Sequence, residues 1–146
     1  MRIFLAGIMQ GSHLAAVLHN QDYRTRLKER LLVALPGASV YDPLSDHKDS
    51  LDYDDTQGRR VFYHHNRMCR EVDMVIAVVP EASMGTAIEM WEAYEHGRTV
   101  ITISPLVHNW TIRFCSHAVY ADEAAFEQAL ASGEIASLLT QRKGEG

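Results

Sequence analysis

The chain has 146 residues, 47% of them apolar, and a formal net charge of −5. That is the size of one domain, able to bury roughly 70% of the surface its unfolded chain exposes. An acidic balance with no basic stripe argues against nucleic acid as a partner, and no apolar run approaches the roughly 20 residues of a membrane span.

Taken in order, the elements alternate strand and helix. Arg2 to Ala6 reads as a first strand rather than an export signal, followed by a loop from Gly7 to Ser12. Residues 13–35 read as largely helical, with Leu27, Leu31, Leu32 and Leu35 as the apolar stripe and Pro36-Gly37 as the stop. Ala38 to Tyr41 is a short second strand, and Asp42 to Gly58 a long polar loop. A helix over 59–71 leads into the run Met74-Val75-Ile76-Ala77-Val78-Val79, introduced by Asp73 and ended by Pro80. That run is short, continuous and β-branched, as expected of a parallel strand buried on both faces. Thr86 to His96 has helical spacing and stops at Gly97; Thr99 to Ile103 is a fourth strand. Residues 110–115 form a short helix, 117–120 a fifth strand, and 122–140 a helix capped by Asp122 and interrupted near Gly133, with a frayed tail over 141–146.

This order predicts a single α/β domain over 1–146, flavodoxin-like or Rossmann-like. Its five-stranded parallel sheet has order 2-1-3-4-5, with helices on both faces. Such a sheet reverses between strands 1 and 3, and ligands bind there at the strand C-termini. The loops brought to that point are Gly7 to Ser12, which includes Met9, and Pro80 to Gly85.

The most informative segment is Ser83-Met84-Gly85-Thr86-Ala87-Ile88-Glu89. A strand feeds a tight turn of small residues, and the turn feeds a helix. The N–H groups of a helix start form an anion site, to which Ser83 adds a hydroxyl. A phosphate at 83–86 puts a sugar carbon near Glu89, which lies on the helix face that Ala93 leaves open. The alternative is structural: Ser83 as an N-cap and Glu89 as a solvated helix residue.

The residues Ile3 to Gly7, Asp73 to Ala77, Ser83-Met84-Gly85, Glu89, Ala93 and Gly97 to Val100 together resemble the nucleoside 2-deoxyribosyltransferase superfamily over residues 2–104. The Ser and the Gly-to-Glu spacing are most similar to its nucleoside 5′-monophosphate N-glycosidase branch. The resemblance implies that Glu89 attacks C1′ of the sugar, that Ser83 binds the 5′-phosphate, and that a partner subunit completes the pocket, so that a homodimer or larger assembly is expected. Cleaving an N-glycosidic bond passes through an oxocarbenium-like centre that a carboxylate stabilises or captures, while the base leaves with a proton. The sequence departs from the family at two places: His65 stands where a second Asp is common, and Phe4 where a first-strand Tyr is common. Without that hydroxyl, a ribose 2′-OH is expected to fit beside Glu89; the alternative is that Phe4 is simply core in a buried strand.

The candidate catalytic residues are therefore Glu89, Asp46 and His65; those for substrate binding are Phe4, Gly7, Met9, Ser83, Gly85, His47 and Asn109. The acidic loop Asp42 to Asp55 is either a solvated, mobile loop or a lid over the base, with Asp46 or His47 as proton donor. Asn109 either contacts a ligand or a second subunit, or caps the next helix. The eight histidines lack His-x-x-x-His spacing, and Cys69 and Cys115 lack metal spacing, so neither a metal nor another cofactor is expected. The cysteines read as buried thiols, and Met84, Met90 and Trp91 as packing residues. The expected activity is cytoplasmic hydrolysis of a nucleoside 5′-monophosphate to free base and sugar 5-phosphate. The alternatives are sugar transfer to a second base, or a nucleotide-binding sensor without turnover.

Overall fold

The computed structural model describes residues 1–8 and 22–144. Its strands are β1 (Arg2–Gly7), β2 (Ser39–Tyr41), β3 (Met74–Val78), β4 (Thr99–Ile103) and β5 (Ala118–Tyr120). They form one parallel sheet in the order β2-β1-β3-β4-β5. The helices are α1 (Asp22–Ala34), α2 (Pro43–Asp46), α3 (Asp55–Glu71), α4 (Met84–Glu95), α5 (Trp110–Phe114), α6 (Glu123–Ala131) and α7 (Glu134–Gly144). The five-stranded α/β fold expected from the sequence is the one observed.

Strand alternation sorts the core into two layers. Ile3, Leu5, Met74, Ile76 and Ile101 pack under α1, α6 and α7, with Leu27, Leu31, Phe126 and Ile135. Phe4, Ala6, Val75, Ala77 and Val100 pack under α3, α4 and α5, with Cys69, Met90 and Ile112. Covering both faces is what makes β3 a continuous apolar run and buries β4 along its whole length, Thr99 and Thr102 included. Both cysteines are free thiols and buried. Gly97 (φ 71°) and Gly133 (φ 81°) take the left-handed conformation that ends α4 and separates α6 from α7.

Several boundaries differ from the expectation. The helix read over 13–35 is seen as α1 from Asp22; its earlier residues and Met9 lie outside the described residues. Leu32 is 43% exposed and leaves the stripe to Leu27, Leu31 and Leu35. The polar loop after β2 is largely folded: α2, a 3₁₀ turn at Ser50–Asp52 and the first turn of α3 occupy it. Asp42 accepts from the Leu44 amide and Asp54 from the Gln57 amide, so two of the loop's aspartates are helix caps. Helix α7 runs past Gln141 to Gly144. Among the described residues no helix is long and apolar enough to cross a membrane.

Candidate active site

At the C-terminal ends of β1 and β3, where the strand order reverses, a cavity of about 440 Å³ opens. One wall is the start of α4. Ser83 caps it: its Oγ accepts from the Thr86 amide at 3.3 Å and donates to Thr86 Oγ1 at 3.0 Å. The amides of Met84 and Gly85 precede the first residue with an intrahelical partner and face outward as donors. Gly85 has no atom within 4 Å of the place a Cβ would take, so a ligand can approach its backbone closely. One and a half turns on, Glu89 lines the same cavity, half-buried.

Glu89 is the most perturbed carboxyl of the site. Burial pushes it up from 4.5 to about 8, against the pull of the Arg24 guanidinium. Arg24 itself is 1% exposed, an unusual place for a charge. It comes from the first turn of α1, follows the same face as Leu27 and Leu31, and reaches under the cavity. Its Nη1 donates to Leu5 O at 3.0 Å and Asp42 Oδ1 at 2.9 Å, and its Nη2 to Gly7 O at 3.1 Å. Asp42 also accepts from Leu44 N and Ser45 Oγ. A buried ion pair, Arg24–Asp42, thus ties the end of β1 to the start of α2, and its cation lies within electrostatic reach of Glu89.

The opposite wall comes from the segment after β2 and from α3. His47, Ser50, Tyr53, Phe62 and His65 line it. His47 Nδ1 and Tyr53 Oη are 2.8 Å apart, and His65 Nε2 and Tyr41 Oη 3.1 Å apart. Burial lowers His65 to about 4, helped by the neighbouring His47 and His64 and opposed by Asp46. The His65 imidazole is therefore neutral at neutral pH, a hydrogen-bonding group rather than a stored proton. Burial and the nearby Asp46 and Asp42 carboxylates push Tyr41 up to about 12, keeping it a phenol.

No family model matches the chain, and no curated protein matches it. Solved structures do. A 2-deoxyribosyltransferase from Bacillus psychrosaccharolyticus superposes with TM-score 0.64 at 18% identity, over 87% of this chain and 90% of that one. A conserved protein from Enterococcus faecalis V583 superposes with TM-score 0.65 at 16% identity, over 90% and 97%. A CMP N-glycosidase from Clostridium botulinum superposes with TM-score 0.51 at 22% identity, over 90% and 98%. The chain has the 2-deoxyribosyltransferase fold.

Within that fold, the cavity brings together Gly7, His47, His65, Ser83, Gly85 and Glu89 of the expected site residues. Asp46 is exposed and does not line it; its carboxylate acts on Tyr41 and, at a distance, on His65. Phe4 is fully buried, its ring 5.6 Å from that of Tyr41 and 5.9 Å from that of His65, so it backs the wall instead of facing the cavity. Asn109 caps α5, accepting from Thr111 and Ile112 amides, and lines a separate apolar depression beside Ser83 and Met84. Of the residues read as packing, Met90 is buried, but Met84 is 86% exposed and Trp91 51%. Among the described residues no three His, Cys, Asp or Glu side chains gather as metal ligands.

Sequence reasoning missed Arg24, Asp42, Ser50 and Tyr53. Arg24 carried a signal: it stands in register with Leu27 and Leu31, a charge inside an apolar stripe. Asp42-Pro43 carried another, a cap residue followed by a proline at the first helical position. Ser50 and Tyr53 carried none, because their place depends on how the segment folds over α3.

Proposed function

We propose that the protein is a nucleoside 5′-monophosphate N-glycosidase with Glu89 as nucleophile. The observation that carries this reading is a single carboxylate, displaced to about 8 by burial, inside a cavity whose rim is the open N-terminus of its own helix. At about 1.5 Å of rise per residue, the six residues from Ser83 to Glu89 span about 9 Å. A 5-phosphorylated pentose bridges that distance, with its phosphate on Ser83 and the Met84 and Gly85 amides and its C1′ at Glu89. The Glu89 oxygen forms a bond to C1′ as the C1′–N bond breaks, and the base takes the electron pair and a proton. Water then hydrolyses the ester, releasing the sugar 5-phosphate and restoring the carboxylate. His47, Ser50, Tyr53 and His65 supply the polar edge for the base. The fold shared with a CMP N-glycosidase and a 2-deoxyribosyltransferase supports a sugar C1′ as the reacting centre.

Incubation with nucleoside 5′-monophosphates, with and without an added second base, tests the reading. Free base and sugar 5-phosphate are expected in both cases. A new nucleotide that forms only with the second base would make the protein a transferase. Tight nucleotide binding with no product would make it a sensor.

The phosphate subsite makes its own prediction. Ser83→Ala removes one hydrogen bond to a charged acceptor, worth about 1.5–3 kcal/mol. KM for a nucleoside monophosphate is expected to rise at least tenfold, with the free nucleoside little changed. Loss of the cap costs about 1 kcal/mol of stability in both cases and does not discriminate between substrates. Equal losses for the two substrates would remove phosphate from this turn.

We also propose a homodimer. Met84, Ile88 and Trp91 form an exposed apolar face on α4, and Trp110 and Phe114, 74% and 54% exposed, pair their rings on α5. Apolar patches of this kind mark interaction surfaces. Light scattering at micromolar concentration is expected to report twice the chain mass, and Trp110→Glu to reduce it towards one. A parent protein that is monomeric and fully active contradicts the assembly.

A further inference from the structure

The Tyr23 hydroxyl is buried and has no hydrogen-bond partner among the described residues. Such groups are rare, because the lost hydration is not replaced. Tyr23 stands in the first turn of α1, next to Arg24, whose guanidinium lies 5.5 Å from its ring centroid. The hydroxyl rests over Gly7: a Cβ on that residue would lie 2.3 Å from Tyr23 Oη and 3.1 Å from Arg24 Nη2. Only a glycine at the end of β1 admits the phenol there, and Gly7 lines the same cavity as Glu89.

We propose that the Tyr23 hydroxyl is a positioning group for Glu89, donating a hydrogen bond to the ionised carboxylate across Gly7 and holding it towards the sugar carbon. The assignment rests on Glu89 being the nucleophile. Its geometry explains two features at once: the buried hydroxyl without an acceptor, and a glycine where any side chain would displace it. Burial raises the Tyr23 phenol above its ordinary value, the charge and polar contact of Arg24 oppose the rise, and the Asp42 and Glu89 charges add to it; Arg24 has only N–H groups, so it leaves the phenol's own proton without an acceptor. The two groups are thus in electrostatic reach, and burial together with the Asp42 and Glu89 carboxylates keeps the phenol protonated and able to donate, against the pull of the Arg24 cation. Among the described residues, the charged groups around Glu89 are Arg24 from α1, with Asp42 behind it, while Cys69 on α3 is within its electrostatic reach as a neutral thiol raised by burial. His47 and His65 line the far wall. Of these, Tyr23 is the neutral donor beside Gly7.

The test is Tyr23→Phe in the full chain, read three ways. At about pH 6, where Glu89 holds its proton and the hydroxyl has no ionised carboxylate to bond, Tm is expected to stay or rise. The Glu89 carboxyl, followed by carbon-13 NMR of Glu-labelled protein and assigned with Glu89→Gln, is expected to titrate about one pH unit higher once the donor is gone. With a nucleoside monophosphate, kcat is expected to fall about 10-fold or more with KM little changed. Gly7→Ala, which displaces the hydroxyl, is expected to move the Glu89 titration in the same direction. An unmoved Glu89 midpoint in Tyr23→Phe, or a fall in its Tm at about pH 6, overturns the assignment. If the parent turns over no nucleotide at all, the nucleophile reading fails, and the NMR titration still decides whether Tyr23 bonds Glu89.

Discussion

Glu89→Gln is expected to lose about 10³-fold or more of kcat while keeping the fold and nucleotide binding, because an amide of the same shape neither attacks C1′ nor balances its developing charge. The same substitution is expected to make the protein more stable at alkaline pH, and the sign follows from linkage. The Glu89 carboxyl sits at about 8 in the folded chain against 4.5 when solvated. Between those values the folded state holds a proton that the unfolded state has released. Stability from this group is therefore whole below about 4.5 and declines as pH rises towards about 8. Above pH 8 the ionised carboxylate costs a few kcal/mol at most, screened by water at the cavity mouth, and glutamine avoids the cost. For the parent protein, kcat/KM is expected to rise with pH through about 8, as Glu89 ionises. Loss of turnover together with a raised Tm at pH 9 marks a functional charge held at the expense of the fold. A solvated helix residue moves neither quantity, so steady-state kinetics and thermal melts of one variant decide between the two readings.

The sheet and the place of the site were legible because they depend on local pattern. The continuous run Met74 to Val78 admits few assignments other than a buried parallel strand, and five strands alternating with helices fix the reversal point next to Gly7 and Gly85. Ser83 and Glu89 were legible for the same reason: cap and carboxylate belong to one helix, and their spacing is set by its rise. The opposite wall was hidden because it is tertiary. Acidic residues from Asp42 to Asp55 read as solvated, whereas Asp42 and Asp54 cap helices and bring His47, Ser50 and Tyr53 over α3. Asp46, the aspartate singled out for proton donation, faces away for a simple geometric reason: α2 is a single short turn, and its end points to Tyr41. Phe4 was placed by strand parity. It shares the face of Ala6, under α3 and α4, so its ring packs against Tyr41 and His65 and does not line the cavity.

The second large effect belongs to Arg24. Arg24→Met is expected to destabilise the fold by about 3–5 kcal/mol, the cost of leaving one member of a buried pair uncompensated. Asp42, 8% exposed, would keep its contacts to Leu44 N and Ser45 Oγ but lose its cation. The carbonyls of Leu5 and Gly7 would lose a charged donor at the point where β1 meets the cavity. For a domain of this size the melting temperature is expected to fall by roughly 10–15 °C. Adding Asp42→Asn removes the stranded charge and is expected to recover part of the loss, so the double-mutant cycle should show a coupling of at least about 1.5 kcal/mol. Arg24 also opposes the burial that raises Glu89, so its removal is expected to move the rise of kcat/KM to still higher pH in whatever fraction stays folded. A purely structural ion pair would lower Tm and leave that pH midpoint in place. Movement of both ties the stability of the β1–α2 junction to the charge of Glu89, through one guanidinium that serves the two.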